Sequence, residues 1–454
     1  MTVPTTVVVG GGIAGLAGAW ELVKSGHHVV VLEASDRLGG IIRTTPFAGM
    51  PVDEGADAFL ARVPAGKELA KEVGLGDDLV SPATGQASLW IGGRLKPIPG
   101  GHVLGVPVDL RAVAKAGVLS PFGLARAAAE PFVPGRPLGE DEDVAVGALV
   151  ARRFGREVQE RLVDPLLGGI NAGRSDELSI DVGAAQIAAA ARKDRSLTRA
   201  LRALRAANPP DSNAPVFYAP AGGMQRLVDA LVRALTDAGA ELRTGTRVTD
   251  LASLDADRVL VAAPAYHAAA LVDPVSARAA SILRDVDYAS VVLVTLAYAR
   301  AGITASFTGS GFLVPRSEGR FLTAASVFSN KWPALNDDPD VVIVRASAGR
   351  YGDDAPLALD DDALVERAHE ELTEALGVRG APREARVSRW PRSFPQFRPG
   401  HLHRMAELHA ALAEDAPHVA IAGAAVNGVG IPTVIGSAKA AAARLAATTA
   451  DPEP

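Results

Sequence analysis

The sequence predicts an α/β chain built on a parallel, doubly wound sheet, with a mixed-sheet unit and a helical unit inserted into it. Three observations carry this expectation. Within the first 33 residues a β-branched run, a glycine-rich turn, a helix, a second strand and an acid follow one another. A strand, a glycine turn and a long helix recur at 419–447. Between these ends, strand and helix signals alternate around 215–265, as they would if the chain returned to its first sheet.

Thr5–Val9 is short, apolar and β-branched, the pattern of a strand buried on both faces. It runs directly into Gly10-Gly11-Gly12-Ile13-Ala14-Gly15, which satisfies G-x-G-x-x-G. Leu16–Lys24 then reads as a helix ending near Ser25-Gly26, and His28–Leu32 as a second strand stopping at Glu33. Gly10 permits the tight turn, Gly12 lets a pyrophosphate approach the backbone, and Gly15 lets helix and strand pack closely. The helix N-terminus offers unpaired N–H groups to phosphates. Glu33, eighteen residues past Gly15, stands where an acid accepts hydrogen bonds from an adenosine ribose. Five features in order are far more specific than a lone glycine motif.

After Glu33 come Ala34-Ser35-Asp36-Arg37-Leu38-Gly39-Gly40, a second glycine turn with a cation beside it. This suits a dinucleotide longer than NAD. With Val52-Asp53-Glu54-Gly55-Ala56-Asp57-Ala58-Phe59, it resembles the continuation found in the amine oxidase-like flavoproteins, where the second stretch lies along the FAD ribityl chain. At the far end, Val419–Ala422 reads as a strand and Gly428-Val429-Gly430-Ile431-Pro432 as the opening of a helix over Thr433–Ala447. That helix would aim its positive end at a flavin and stabilise the reduced, anionic form.

Between the ends, residues 105–205 are mostly helical in pattern, with loops at Pro131–Asp143 and Gly168–Ser175. Gln225–Ala238 predicts an amphipathic helix, Glu241–Leu251 a strand containing Val248, and Arg258–Ala263 another strand. Residues 283–389 mix strand-like runs, Val291–Tyr298 and Val341–Arg345, with a helix near Ala363–Leu376, a pattern suited to a sheet lining a substrate cavity. The expected units are a FAD-binding domain over 1–60, 215–265 and 390–450, a substrate domain over 61–104 and 266–389, and a helical domain over 105–205. A disordered tail is expected after Thr449.

Composition narrows the functions. The 454 residues carry a formal net charge of −6, which gives a nucleic-acid partner no electrostatic support. No cysteine occurs, so disulfides, thiolate metal sites, a catalytic thiol and a cysteinyl-linked flavin are excluded. No run of about 18 apolar residues suggests a membrane span, and the N-terminus lacks the basic and apolar regions of a secretion signal. The expectation is a soluble cytoplasmic protein with at most peripheral contact with a membrane.

With these landmarks placed, the chain resembles the protoporphyrinogen oxidase family, and within it the Gram-positive-type coproporphyrinogen III oxidases. The shared segments run in order along nearly the whole length: Gly10–Gly15, Arg37–Gly40, Asp57-Ala58-Phe59-Leu60, Ala83-Thr84-Gly85-Gln86, Pro97-Ile98-Pro99, Gly105-Val106-Pro107, Pro165-Leu166-Leu167-Gly168-Gly169-Ile170, Ala172-Gly173, Leu178-Ser179 and Gly428–Pro432. The Ala83–Gln86 and Pro165–Ser179 segments discriminate best. The implied fold is a Rossmann-like FAD-binding domain of the amine oxidase/p-hydroxybenzoate hydroxylase type, with a mixed-sheet substrate domain and a helical domain.

The resemblance implies FAD as cofactor, held by Gly10, Gly11, Gly12, Ile13, Ala14, Gly15, Glu33, Ala34, Arg37, Gly40, Ile41, Gly55, Ala56, Asp57 and Ala58. Val248 would lie by the adenine, Trp390 by the isoalloxazine, and Val429, Gly430 and Ile431 at the flavin's far edge. Gly169 and Leu313 would line the substrate cavity, with Phe312 and Phe328 as further wall residues and Arg62 and Lys96 meeting substrate propionates. One departure stands out. An arginine that pairs with a propionate in animal and plant members falls at Ala87, so substrate carboxylates must be held differently here.

The implied reaction removes six hydrogens from a porphyrinogen in three two-electron steps, each passing a hydride to the flavin N5. O2 is the acceptor, hydrogen peroxide the by-product and a ferrochelatase the downstream partner. The resemblance assigns no catalytic side chain, because the cofactor carries the hard chemistry and each step gains aromaticity. Oxidation of coproporphyrinogen III is the leading expectation. Oxidation of protoporphyrinogen IX, of an amine, or desaturation of a carotenoid remain open on the same scaffold, as does a porphyrin carrier with a structural flavin. His401, His403 and His409 read as surface or core histidines, so no metal is expected. The basic residues Arg192, Lys193, Arg195, Arg199, Arg202 and Arg205 read as a solvated helix face.

Overall fold

The computed structural model describes residues 3–207, 214–304, 307–336 and 338–447; the expected tail lies outside them. Its first sheet has five strands, all parallel, in the order Glu241–Arg243, His28–Leu32, Thr5–Val9, Arg258–Val261 and Val419–Ile421. Thr5–Val9 is the central strand, with Val7 beside Val30 on one neighbour and Val259 on the other. Both faces are covered. The helices Ile13–Lys24, Gln225–Asp237 and Ile431–Ala447 bury Leu16, Leu231 and Ile435 on one side. Ala265–Val272, Ala277–Arg284 and His401–Asp415 bury Val272, Leu283 and Leu408 on the other. This two-sided burial explains why the strands read as continuous valine and leucine runs.

The expected strand at 241–251 is shorter than its sequence pattern. Only Glu241–Arg243 pairs, and the chain then turns at Gly245, whose N–H donates to the Ser35 carbonyl. Val248 lies beyond that turn, half-buried against the sheet's second face. An edge strand needs only as many residues as its neighbour can bond, and His28–Leu32 ends at Leu32.

A second, seven-stranded mixed sheet runs Glu384–Pro395, Tyr288–Ala299, Val341–Ala348, Leu322–Val327, Gly311–Leu313, Ala87–Ile91 and Arg94–Pro97. Neighbours are antiparallel except Gly311–Leu313 and Ala87–Ile91. One face packs on the helix Asp361–Leu376, burying Val292, Val294, Val344 and Phe312 with Leu364 and Leu372. Period-2 alternation then sends Val291, Leu293, Arg345 and Ser347 to the opposite face, which lines a cavity.

The third body is helical, running from Leu110–Ala116 to Leu197–Ala207 around Phe154, Leu162 and Ile187. Its buried Glu130 pairs with Arg153 at 2.8 Å and also accepts from the N–H groups of Leu197 and Thr198, capping the last helix of that body. The loop expected over 168–175 is half helix. Asp164–Asn171 continues a helical run that includes a π turn at Gln159–Val163, and it ends only at Ala172, with φ +47. Gly168 and Gly169 therefore sit inside a helix, where their sequence reads as loop. Pro165 lies inside this continuous run and has no N–H to give, and the π turn directly before it is where the regular ladder is interrupted.

Candidate functional site

The two glycine turns form one backbone surface. Gly39 donates its N–H to the Gly11 carbonyl at 2.8 Å, and a short parallel bridge joins Gly12 to Gly39. The glycines are there for different reasons. A Cβ on Gly15 would fall 1.8 Å from the Gly10 carbonyl oxygen, so the helix cannot pack with any larger residue. Gly12 has an ordinary φ of −73, and a Cβ there would meet nothing closer than the Gly40 Cα at 3.9 Å. Neither backbone strain nor packing demands glycine at this position. What a side chain would fill is the space in front of the helix Ile13–Lys24, whose N-cap is Gly12 itself and whose first turn carries no acid. Its free N–H groups face that space, the arrangement that receives a phosphate. This cradle fits a dinucleotide.

From Gly12 a cavity of about 620 Å³ extends between the parallel sheet, the mixed sheet and the helical body, within the range of small-molecule sites. Of the expected cofactor residues, Gly12, Ile13, Ala14, Ile41, Gly55, Ala56, Ala58, Trp390, Val429, Gly430 and Ile431 line it. Trp390 is oriented by donating its indole N–H to the Glu54 carbonyl at 2.6 Å. The helix Ile431–Ala447 begins at the cavity wall, so its unpaired first-turn N–H groups lie beside the cavity. Gly10, Gly11 and Gly15 shape the turn behind the lining. Glu33 accepts from the Gly11 N–H at 2.7 Å through Oε2 and from the Ser35 N–H and hydroxyl at 2.8 and 2.7 Å through Oε1, which leaves Oε2 capacity for another donor. Thr246 donates its N–H to the Glu33 carbonyl, bringing the segment of Val248 beside Glu33 and the exposed Ala34.

Two expected cofactor contacts are internal braces. The Arg37 guanidinium donates to the carbonyls of Leu38, Gly40 and Ile42, tying down the second glycine turn, in which Gly40 touches Gly12. Asp57 is buried against Lys331 at 2.7 Å and Arg345 at 3.6 Å, joining the N-terminal segment to the mixed sheet. Burial pushes the Asp57 carboxyl up, but Lys331 and Arg345 outweigh it and hold it well below the usual carboxylate range.

Asp53 behaves in the opposite way. Burial pushes its carboxyl up to about 6, although the Thr44 hydroxyl (2.5 Å) and the Met224 N–H (3.0 Å) favour the anion. The folded state thus holds this proton more tightly than an unfolded carboxyl near 3.9. Stability should rise as pH falls from neutrality through about 6, and the gain is complete near 4. Asp53→Asn is expected to flatten denaturant-unfolding free energies across that window, and an unchanged slope would refute the assignment.

The expected substrate residues divide. Gly169 lines the cavity with Leu313 behind it, where a Cβ on Gly169 would lie 3.4 Å from the leucine Cδ2. Phe312 does not line it: at 1% exposure it packs edge-on against Trp90, ring centroids 5.6 Å apart. Leu313 reaches the site only through Gly169, and the next residue, Val314, supplies the wall. Phe328, also 1% exposed, belongs to the core between the two sheets. Lys96 is half-buried and donates to the Gly117 carbonyl at 2.6 Å, and Arg62 is exposed; neither is on the cavity lining.

The cations that do line the cavity, Arg345, Arg350 and Arg392, escaped sequence reasoning, as did Tyr266 and Tyr288. Arg345 alone carried a signal, as a charge at an inward-alternating position of an apolar strand. Arg392 stacks over the Tyr266 ring at 3.7 Å and adopts φ +46. Burial pushes the Tyr288 phenol up to about 12 while its oxygen accepts the Ala265 N–H. Among the described residues no cluster of histidine or acidic side chains could hold a metal, and no helix is long and apolar enough to cross a membrane.

Comparison with known proteins agrees with this geometry. The family model for flavin containing amine oxidoreductases matches residues 13–446. A coproporphyrinogen III oxidase of Mycobacterium tuberculosis is 37% identical over 449 residues, covering 96% of each chain. One from Bacillus subtilis is 33% identical over 460 residues, again covering 96% of each. The crystal structure of a protein from Exiguobacterium sp. 255-15 superposes with a TM-score of 0.87 at 28% identity, covering 98% of this chain and 99% of that one. With a family match over residues 13–446 and relatives above 30% identity along nearly the whole chain, the chain belongs to the flavin containing amine oxidoreductase family, as a flavin-dependent oxidoreductase.

Proposed function

We propose that the protein is an FAD-dependent coproporphyrinogen III oxidase that uses O2 and releases hydrogen peroxide. The observation that carries this reading is the cavity. It joins the glycine cradle to a mostly apolar chamber whose walls present three arginines, Arg345, Arg350 and Arg392. A hydrophobic macrocycle edged with carboxylates needs that combination, whereas a small amine needs no such set of cations. Both curated relatives described above are named for coproporphyrinogen oxidation.

FAD fits the residues present. Gly12 and the helix N-terminus behind it would take the pyrophosphate, Glu33 the ribose, and the start of Ile431–Ala447 the flavin's far edge. When bound, the flavin supplies hydride acceptance and reoxidation by O2. The protein's own part is to bind, orient and exclude water. Val291, Leu293 and Val314 form an apolar wall, and Gly168 and Gly169 let the substrate approach the helix backbone closely. No general base is assigned. The Asp164 carboxylate at the cavity wall is occupied by the Ser175 N–H and hydroxyl through Oδ1, at 2.9 and 2.8 Å. Ala87 stands where animal and plant relatives carry a propionate-pairing arginine, so here the carboxylates fall to arginines on other strands. A cytoplasmic site of action, contact with a membrane surface from one side, and transfer of product to a ferrochelatase belong to the same proposal.

The test is turnover followed by porphyrin fluorescence, with coproporphyrinogen III and protoporphyrinogen IX side by side. A higher kcat/KM for coproporphyrinogen III is expected. A preference for protoporphyrinogen IX would move the protein to the other branch of the chemistry, and activity on neither with flavin bound would overturn the proposal.

A further inference from the structure

The cavity arginines differ in what neutralises them. Arg345 has the Asp57 carboxylate and donates to the carbonyls of Asp53 (2.5 Å) and Gly55 (2.8 Å). Arg392 lies over the Tyr266 ring and is exposed. Arg350 is half-buried at the cavity wall, and its guanidinium has no ion pair or hydrogen bond among the described residues. Burial disfavours its charge, and the neighbouring guanidinium of Arg316 disfavours it further.

Arg316 is itself under-satisfied. Among the described residues its Nε is buried without an acceptor, and its Nη2 donates to the Gly173 carbonyl at 3.4 Å. Asp353 and Asp164 offset part of the penalty on the Arg350 charge at longer range, but neither carboxylate makes an ion pair with Arg350 among the described residues. Asp164 is bonded to Ser175, Asp176 is held by Arg174 at 2.9 Å, and Asp353 meets Arg350 through backbone bonds. The position is built into the fold. Gly349, at φ +87, turns the chain at the end of Val341–Ala348, and a Cβ there would fall 2.8 Å from the Ser290 carbonyl. Two neighbouring, partly desolvated guanidiniums with no directly paired carboxylate among the described residues are costly on their own. A ligand carboxylate, able to accept bidentate bonds from a guanidinium, would offset that cost.

We infer that Arg350, with Arg316 behind it as a positioning residue, is a carboxylate-binding site of the cavity that selects a substrate carrying more carboxylates than protoporphyrinogen's two. This rests on the porphyrinogen reading above and goes beyond it in naming the side chain that discriminates. Arg350→Gln, Arg350→Lys and Arg316→Gln are compared as flavin-loaded proteins with both porphyrinogens. Arg350→Gln is expected to raise KM for coproporphyrinogen III about tenfold or more while kcat stays within about twofold, the loss of one charge-assisted contact in binding. Its KM for protoporphyrinogen IX should change by less than about threefold, and Arg350→Lys should recover part of the loss. Equal KM changes for both substrates, or none, would overturn the inference.

A binding measurement separates this from failure of the functional reading. Coproporphyrin III is titrated into the flavin-loaded proteins by fluorescence, with its tetramethyl ester as control. The tetracarboxylate should bind at least about tenfold more weakly to Arg350→Gln than to the unmodified protein, and the ester equally to both. If the unmodified protein oxidises neither porphyrinogen, the functional proposal falls while this titration still decides. Equal loss for acid and ester, or no loss, rejects the site. Should Arg350→Gln not fold, Arg350→Lys and Arg316→Gln carry the same comparison.

Discussion

Gly12→Val is expected to abolish flavin binding while leaving the chain folded. The backbone at Gly12 is extended, φ −73 and ψ 178, and open to any residue, and a Cβ would find no protein atom within 3.9 Å. The added side chain would project into the cavity that Gly12 lines, in front of the N–H groups of the helix Ile13–Lys24. A ligand phosphate held by those groups needs that space, and valine would occupy it. Gly15→Ala makes the contrast. Its Cβ would lie 1.8 Å from the Gly10 carbonyl, so this smaller change should unseat the helix and lose the fold together with the flavin. Visible flavin absorbance per chain, measured with circular dichroism and a melting curve, distinguishes the two. Gly12→Val protein that still carried stoichiometric flavin would show that the cradle is elsewhere.

Asp57→Ala should destabilise the protein by roughly 3–5 kcal/mol, the cost of removing one partner from a buried charge cluster. Lys331 would lose its 2.7 Å partner and Arg345 the carboxylate it pairs with at 3.6 Å, both in the seam between the N-terminal segment and the mixed sheet. The pH dependence has a definite sign. The folded carboxyl is held below its unfolded value, so the stabilisation is fully present above about pH 4 and declines only as pH falls further. Denaturant unfolding at neutral pH is the measurement, and a loss under about 1 kcal/mol would place the pair among weak surface bridges. Asp57→Ala, Lys331→Met should recover part of the loss, because the orphaned ammonium is then gone.

Much of this fold was legible from local pattern. The strands Thr5–Val9 and His28–Leu32 are bounded in the structure where their apolar runs begin and end, since each is buried on both faces and its composition records that burial. The helix Gln225–Asp237 shows its period of 3.6 for the same reason. The cofactor cradle was legible because close backbone approach leaves a mark that only glycine can carry. Where local pattern misled, a neighbour had decided the outcome. Glu241–Leu251 has strand composition throughout, but pairing stops where the adjacent strand ends. Gly168–Ser175 has loop composition, but packing of the helical body carries the helix through Asn171.

By itself the sequence determined the doubly wound core, the glycine cradle and the helix aimed at it, because each depends on residues close together in the chain. Only the tertiary structure decided which side chains face the cavity. It turned Phe312 and Phe328 into core, made Asp57 and Arg37 internal braces, and brought Arg316 and Arg350 together from separate segments. Facing is set by sheet register and by which charges find partners, and both are properties of contacts between residues distant in sequence.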